Sequence, residues 1–166
     1  MRSVDIGILR ASQIKFDLIG GFCLNGSNGE RNVPTYQGCG NSILDNITEN
    51  IVSIEGGRLS YNGKLFDELV LVPCGKDSVF TLHDVVIGLN FHWQRKEMQT
   101  FSGELRFIVE DGEVRAVNRI DVEEYLISVI SSEMSATSSF EFLKAHTVIS
   151  RSWLYAQLER SGRVDN

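Results

Sequence analysis

The stretch SSEMSATSSFEFLKAH, Ser131 to His146, sets one carboxylate, Glu133, between two segments with helical periodicity. A glutamate at the C-terminal end of a helix has reason to hold its proton. The dipole there disfavours negative charge. Ile130, Met134 and Phe140 are near enough in sequence to strip water from it. Both effects raise a carboxyl pKa, the direction a general acid needs near neutral pH. On residue type alone, a solvated link residue is the commoner outcome for a glutamate. Lys144 and Arg151 are seven residues apart, so they share a helical face two turns apart. That pair suits an anionic or sugar-rich groove as well as a solvated face. Ser150 follows His146 by one turn, but no G-x-S-x-G surrounds it, and Asp121 completes no nucleophile setting. A lone helical histidine is more often structural. His83 and His92 fall among strand-like residues with no third ligand at metal spacing. Trp93 and Trp153 suit stacking on sugars, though each is more often core.

Two kinds of element must position these groups. From residue 1 to about 117 the chain reads as strands. VDIGIL alternates. IKFDLIGGF places Ile14, Phe16 and Leu18 on one face before a Gly20-Gly21 turn. Asn25 to Gly40, rich in Gly, Asn and Ser, reads as a long loop. Gly56-Gly57 and Asn62-Gly63 then punctuate short apolar runs, and Asn-Gly is a hairpin signal because both residues tolerate positive φ. SVFTLHDVVIGLNFHW supplies one or two strands. In FSGELRFIVEDGEVRAVNRI, Leu105, Phe107 and Val109 alternate, Asp111-Gly112 turns, and Val114, Ala116 and Val117 return. These hairpins predict a small sandwich or barrel-like sheet.

The period then changes. Val122, Tyr125, Leu126, Val129 and Ile130 form one helical stripe, with Asp121 and Glu124 as a capping box. Ser138 and Glu141 suggest a second box. A second helix to about Arg160 has Phe142, Leu143, Ala145, Ile149, Trp153 and Leu154 as its apolar face, with Gly162 at its stop. The predicted class is α+β: an N-terminal, mostly antiparallel β region of hairpins, then two α-helices.

The bulk numbers narrow the function classes. The chain has 166 residues, 42% hydrophobic and 23% charged, an ordinary globular composition. A formal charge of -6 argues against nucleic acid, which selects for basic surfaces, without excluding a local basic groove. No apolar run approaches the ~20 residues of a transmembrane helix. Cys23, Cys39 and Cys74 have no C-x-x-C spacing. One disulfide plus one thiol, or three buried reduced cysteines, both fit.

VNRIDVEEYLISVISSEMSATSSFEFLKAHTVISRSWLYA resembles the signature of the SpoIID/LytB family (stage II sporulation protein D). The matching residues are Val117-Asn118, Glu123-Glu124-Tyr125-Leu126, Val129, Glu133-Met134, Leu143-Lys144-Ala145 and Arg151. FSGEL, Phe101 to Leu105, resembles the family's Y-x-G-x-L strand. Ser135 stands where the family usually has Pro, His146 where it has Gln, and Ser152-Trp153 where it has Thr-Tyr. The resemblance spans roughly residues 101 to 157. Residues 1–100 read as a β-rich region by pattern, and the resemblance implies that 101–166 are the N-terminal part of a SpoIID-like domain, truncated here. It implies a lytic transglycosylase that cleaves peptidoglycan glycan between N-acetylmuramic acid and N-acetylglucosamine, on strands stripped of stem peptides. Glu133 would be the acid/base, with Lys144, Arg151, His146 and Tyr125 along the groove. The alternative is a non-catalytic cell-wall glycan-binding or amidase-enhancer module. Either way the partners are glycan strands, with an amidase or other cell-wall enzyme as the second class, and the place is the exported cell envelope or periplasm. No cofactor is expected in this chain; some longer members carry a zinc site.

Overall fold

A computed structural model describes residues 2–27, 43–87, 92, 94–135 and 137–160. The side chains of residues 26, 27, 43 and 133 lie outside this description. The described chain is α+β, a mostly antiparallel β region followed by two helices. Its strands are β1 (Ser3–Ala11), β2 (Gln13–Ser27), β3 (Ile43–Glu55), β4 (Arg58–Tyr61), β5 (Lys64–Phe66), β6 (Glu68–Pro73), β7 (Val79–Ile87), β8 (Arg95–Ser102), β9 (Glu104–Glu110) and β10 (Glu113–Asp121). They precede α1 (Val122–Glu133) and α2 (Phe140–Arg160). Two compact units emerge: one takes Asp5–Arg119, the other the residues up to Val4 together with those from Ile120 on.

Strand order along the sheet is β1-β10-β9-β6-β2-β3-β4-β5, with β7 joining β2 and β8. Two of the short hairpins form where Asn62-Gly63 and Asp111-Gly112 predict them, and a third forms at the Gly56-Gly57 break between apolar runs. Gly56 and Gly57, Asn62 and Gly63, and Asp111 and Gly112 all have positive φ, so each two-residue turn matches the right-handed twist of its strands. The Gly20-Gly21 pair behaves differently from its predicted turn. β2 continues through it as a bulge, with register shifts at Phe16/Leu18 and Leu18/Gly21. Gly20 has φ +76, and a Cβ there would sit 3.1 Å from the Ser78 backbone. Only glycine fits both demands. The Gly21 carbonyl beside it accepts from Cys74 N–H at 2.8 Å and from Ser78 Oγ at 2.9 Å. Asn25 and its neighbours, expected to open a loop, extend β2 against β6 instead; residues 28–42 lie outside the described set. β8 is missing from the sequence reading because RKEMQTFS is polar; its residues are exposed or half-buried rather than apolar in alternation.

Alternation sets the core of the larger unit. Ile14, Phe16 and Leu18 of β2, Leu69 and Leu71 of β6, Leu105 and Phe107 of β9, and Val114 and Ala116 of β10 all point inward and are buried. The Phe16 ring lies 5.1 Å from Phe107 and 5.9 Å from Tyr61, centroid to centroid. Such pairs each contribute about 0.5–1.5 kcal/mol beyond area burial. The Tyr61 hydroxyl donates to Asn50 Oδ1 at 2.8 Å, so the polar groups among these rings are satisfied. Val117 faces the half-buried side of β10, and Asn118 takes the buried register beside it. Cys23 is buried and Cys74 exposed, with their sulfurs 3.0 Å apart, which removes the reading of three buried cysteines. Cys39 and Trp93 lie outside the described residues.

Across the bulge, Asp17 of β2 binds two neighbouring strands. Its Oδ1 accepts from Glu49 N–H and its Oδ2 meets His83 Nε2, both at 2.6 Å. Burial pushes its carboxyl pKa up, but the Glu49 N–H, then His83 and Lys15, outweigh that and hold it below the usual carboxylate range. A depressed folded pKa gives stability that is present above the unfolded value, about 3.9, and lost as pH falls through the folded one. Asp17→Asn is expected to cost about 1–3 kcal/mol at pH 7 and to flatten the acid limb of stability. Urea unfolding at pH 7 and pH 3 measures both effects; an unchanged difference between the two pH values would refute this role.

Candidate functional site

β10 ends at Asp121, and α1 begins at the next residue. Asp121 Oδ1 accepts the Glu123 N–H at 2.9 Å, which satisfies one of the open donors of the first turn. Val122 N–H donates to the Arg2 carbonyl at 2.9 Å. The predicted stripe holds: Val122 and Leu126 are buried, and Tyr125, Val129 and Ile130 are half-buried. Glu123 and Glu124 occupy the first turn, where the dipole favours acids.

The other end of α1 has the opposite electrostatics. Glu133 is its last residue, and the last turn carries no basic side chain. Ser131 Oγ and Ser132 Oγ donate to the Ile127 and Val129 carbonyls at 2.7 and 2.8 Å. Met134 caps the helix in an extended conformation, its N–H on the Ile130 carbonyl at 3.0 Å. The Glu133 side chain lies outside the described residues, and with it the expected desolvation by Ile130, Met134 and Phe140.

In the link, the Ser135 carbonyl accepts Ser138 N–H at 3.0 Å. The cap of α2 is one residue later than predicted. Ser139 Oγ, not Ser138, accepts the Phe142 N–H, at 3.3 Å. The helix starts at Phe140, and the side chain three residues before Phe142 is the one placed to reach its N–H.

α2 carries the remaining candidates. Lys144 Nζ lies 3.2 Å from Glu141 Oε1 and 4.4 Å from the Phe140 ring centroid. His146 Nδ1 and Ser150 Oγ are 3.5 Å apart within the helix. Arg151 is the residue that crosses between helices: its Nη2 donates to Glu123 Oε2 in the first turn of α1. That hydrogen bond and the Glu123 charge hold the guanidinium protonated even more firmly than usual. One turn on, the Tyr155 ring lies 5.3 Å below the Arg2 guanidinium. Lys144 and Arg151 thus share a helix, but each is held by its own acid. Tyr125 is half-buried on α1.

The expected apolar face of α2 divides. Leu154 is buried, and Leu143 is half-buried. Phe142, Ile149 and Trp153 are 53%, 67% and 63% exposed. α2 turns a mixed stripe inward, with Leu143, His146, Thr147, Ser150, Leu154 and Leu158 as its less exposed positions. Its helical period was legible; which of two partly apolar stripes would be covered was not.

Glu123 enters the sequence reading only as a motif residue, because a first-turn acid has an ordinary explanation in the dipole. Asn118 was visible only as part of a motif. It is 4% exposed, and its Nδ2 donates to the Ser102 and Glu104 carbonyls at 2.9 and 3.2 Å. These carbonyls flank Gly103, whose φ is +94. One side chain of the VN pair thus fastens the turn of FSGEL.

The family model SpoIID, described as stage II sporulation protein, matches residues 110–166. This segment begins at the last residue of β9 and takes in β10, α1 and α2. No curated protein and no solved structure matches the chain.

The cap on α1 is open to direct test. Asp121→Ala is expected to cost about 1 kcal/mol and to lower the helical melting midpoint by about 2–4 °C. Far-UV circular dichroism follows it, and a midpoint equal to wild type would show that the Asp121–Glu123 bond contributes nothing.

Proposed function

We propose, from the match of residues 110–166 to the SpoIID family model, that the chain serves a lytic transglycosylase acting on peptide-free glycan strands of peptidoglycan in the cell envelope. The bond cut joins N-acetylmuramic acid to N-acetylglucosamine. Glu133 is the acid/base. The observation that carries this reading is its place: the last residue of α1, at the negative end of the dipole, in a turn with no basic side chain. A carboxyl so placed favours its neutral form, the form that can donate a proton.

A single carboxyl suffices for the chemistry. Glu133 protonates the oxygen that leaves with N-acetylglucosamine, as C1 of the muramyl sugar gains oxocarbenium character. The muramyl sugar's own C6 hydroxyl then attacks C1, and the Glu133 carboxylate takes that hydroxyl's proton. The C1–O bond breaks, a C1–O6 bond forms, and the enzyme recovers its starting protonation with no water consumed. Hydrolytic glycosidases need a second carboxylate to act as nucleophile or to activate water. Here the nucleophile belongs to the substrate, and intramolecular attack supplies the effective molarity. Lys144, Arg151, His146 and Tyr125 line the groove in this reading. The exposed Trp153 ring, seven residues beyond His146, is a stacking surface for a sugar.

Digestion of peptide-free strands, with mass spectrometry for 1,6-anhydromuramyl ends, tests the reading. Glu133→Gln is expected to lower product formation about 10²–10⁴-fold, the usual share of a general acid. Equal product from Glu133→Gln and wild type would remove Glu133 from the chemistry. Glycan binding that survives Glu133→Gln, with no anhydro product from either protein, would select the non-catalytic glycan-binding or amidase-enhancing role.

A further inference from the structure

Among the described residues, the contact between Glu123 and Arg151 is unlike the Lys144–Glu141 ion pair. Lys144 and Glu141 are three residues apart on one helix. Arg151 and Glu123 are 28 residues apart and join α2 to α1. Both side chains are about half exposed, at 46% and 51%. An exposed pair of this kind adds little to stability, so holding the fold together is a weak reason for it. It does fix where an arginine head group sits. A long side chain left free on a helix samples many rotamers, and a ligand must bear the cost of ordering it.

The Glu123 end is itself firm. Its backbone N–H is held by Asp121 Oδ1 at 2.9 Å, and Val122 beside it is buried. The Arg151 contact engages Nη2, and the guanidinium carries further donors on Nε and Nη1. The planar fork can therefore keep its acid partner and still present donors to a hydroxyl or carboxylate.

We propose that Glu123 is a positioning residue: it holds the Arg151 guanidinium in the orientation that receives the glycan, and touches no substrate itself. This rests on the reading of α2 as a glycan-facing helix. The consequence is a split between kinetic constants. Ground-state binding suffers when Arg151 is released, while the proton transfer assigned to Glu133 does not.

The test uses the full chain and peptide-free glycan strands. Glu123→Ala is expected to raise KM about three- to ten-fold with kcat within about two-fold, while Glu123→Gln, whose amide oxygen still accepts from a guanidinium, stays near wild type. The exchange variant carrying Glu123→Arg with Arg151→Glu restores an ion pair between the helices but moves the cation to α1. A merely structural pair predicts recovery of KM in that variant; positioning predicts that KM stays raised. KM for Glu123→Ala equal to wild type, or recovery in the exchange variant, overturns the proposal. Circular dichroism checks that Glu123→Ala keeps its helices. Should it lose them, Glu123→Asp, which keeps the first-turn charge but shortens its reach, takes its place in the comparison. If wild type forms no anhydro product, the transglycosylase reading fails on its own. Glu123 is then judged by the Kd for the same strands, expected to weaken by the same factor in Glu123→Ala; absence of any glycan binding by wild type overturns both.

Discussion

The larger unit depends on a single bend. β2 pairs with β3 along one edge, while its other edge serves β7 over Phe16–Ile19 and β6 over Phe22–Ser27. A straight strand cannot supply two diverging partners from one edge. The bulge at Leu18–Gly21 turns the strand between them, and Gly20 tolerates both the positive φ and the approach of Ser78. The polar groups released there find partners. Asn46 Oδ1 accepts from Gly20 N–H at 3.0 Å, Gly21 O is doubly used, and Asp17 ties β3 to β7. With the bend in place, Phe16, Leu18 and Phe22 face one core.

The helical unit is organised by charge as much as by burial. Among its described residues only Val4, Ile120, Val122, Leu126 and Leu154 are buried apolar residues. Several large side chains of α2 stay outside. What gives the helix pair its chemical character is the polarity of α1: acids in the first turn, one of them engaging Arg151, and a further acid at the far end with no cation in its turn. The same residue type therefore has opposite meanings at the two ends of one helix. Glu123 sits at the positive end of the α1 dipole, beside Arg151, and Glu133 at the negative end.

The signature residues divide between those that build the fold and charged ones at the surface. Asn118 fastens the FSGEL turn, Asp121 caps α1, and Leu126 is buried. Leu143 and Ala145 show how little a motif says about burial, since the first is half-buried and the second exposed. The charged positions Glu123, Lys144 and Arg151 are all at the surface and all paired. A family frame thus marks residues for attention without saying which kind of work each does.

Local rules were legible because their physics is local. The Asn62-Gly63 and Asp111-Gly112 turns need only two residues that accept positive φ, and the α1 stripe needs only a period. The α+β class, the two tight hairpins at Asn62-Gly63 and Asp111-Gly112, and the cap of α1 at Asp121 followed from the sequence by itself. The fate of Gly20-Gly21 did not, because turn and bulge ask for the same residues and differ only in what pairs alongside. Polar β8 was invisible for a related reason: its register comes from β7, not from an apolar pattern of its own. The covered face of α2 and the hold of Glu123 on Arg151 were decided by tertiary structure alone, because two residues 28 apart acquire a relation only when two helices pack.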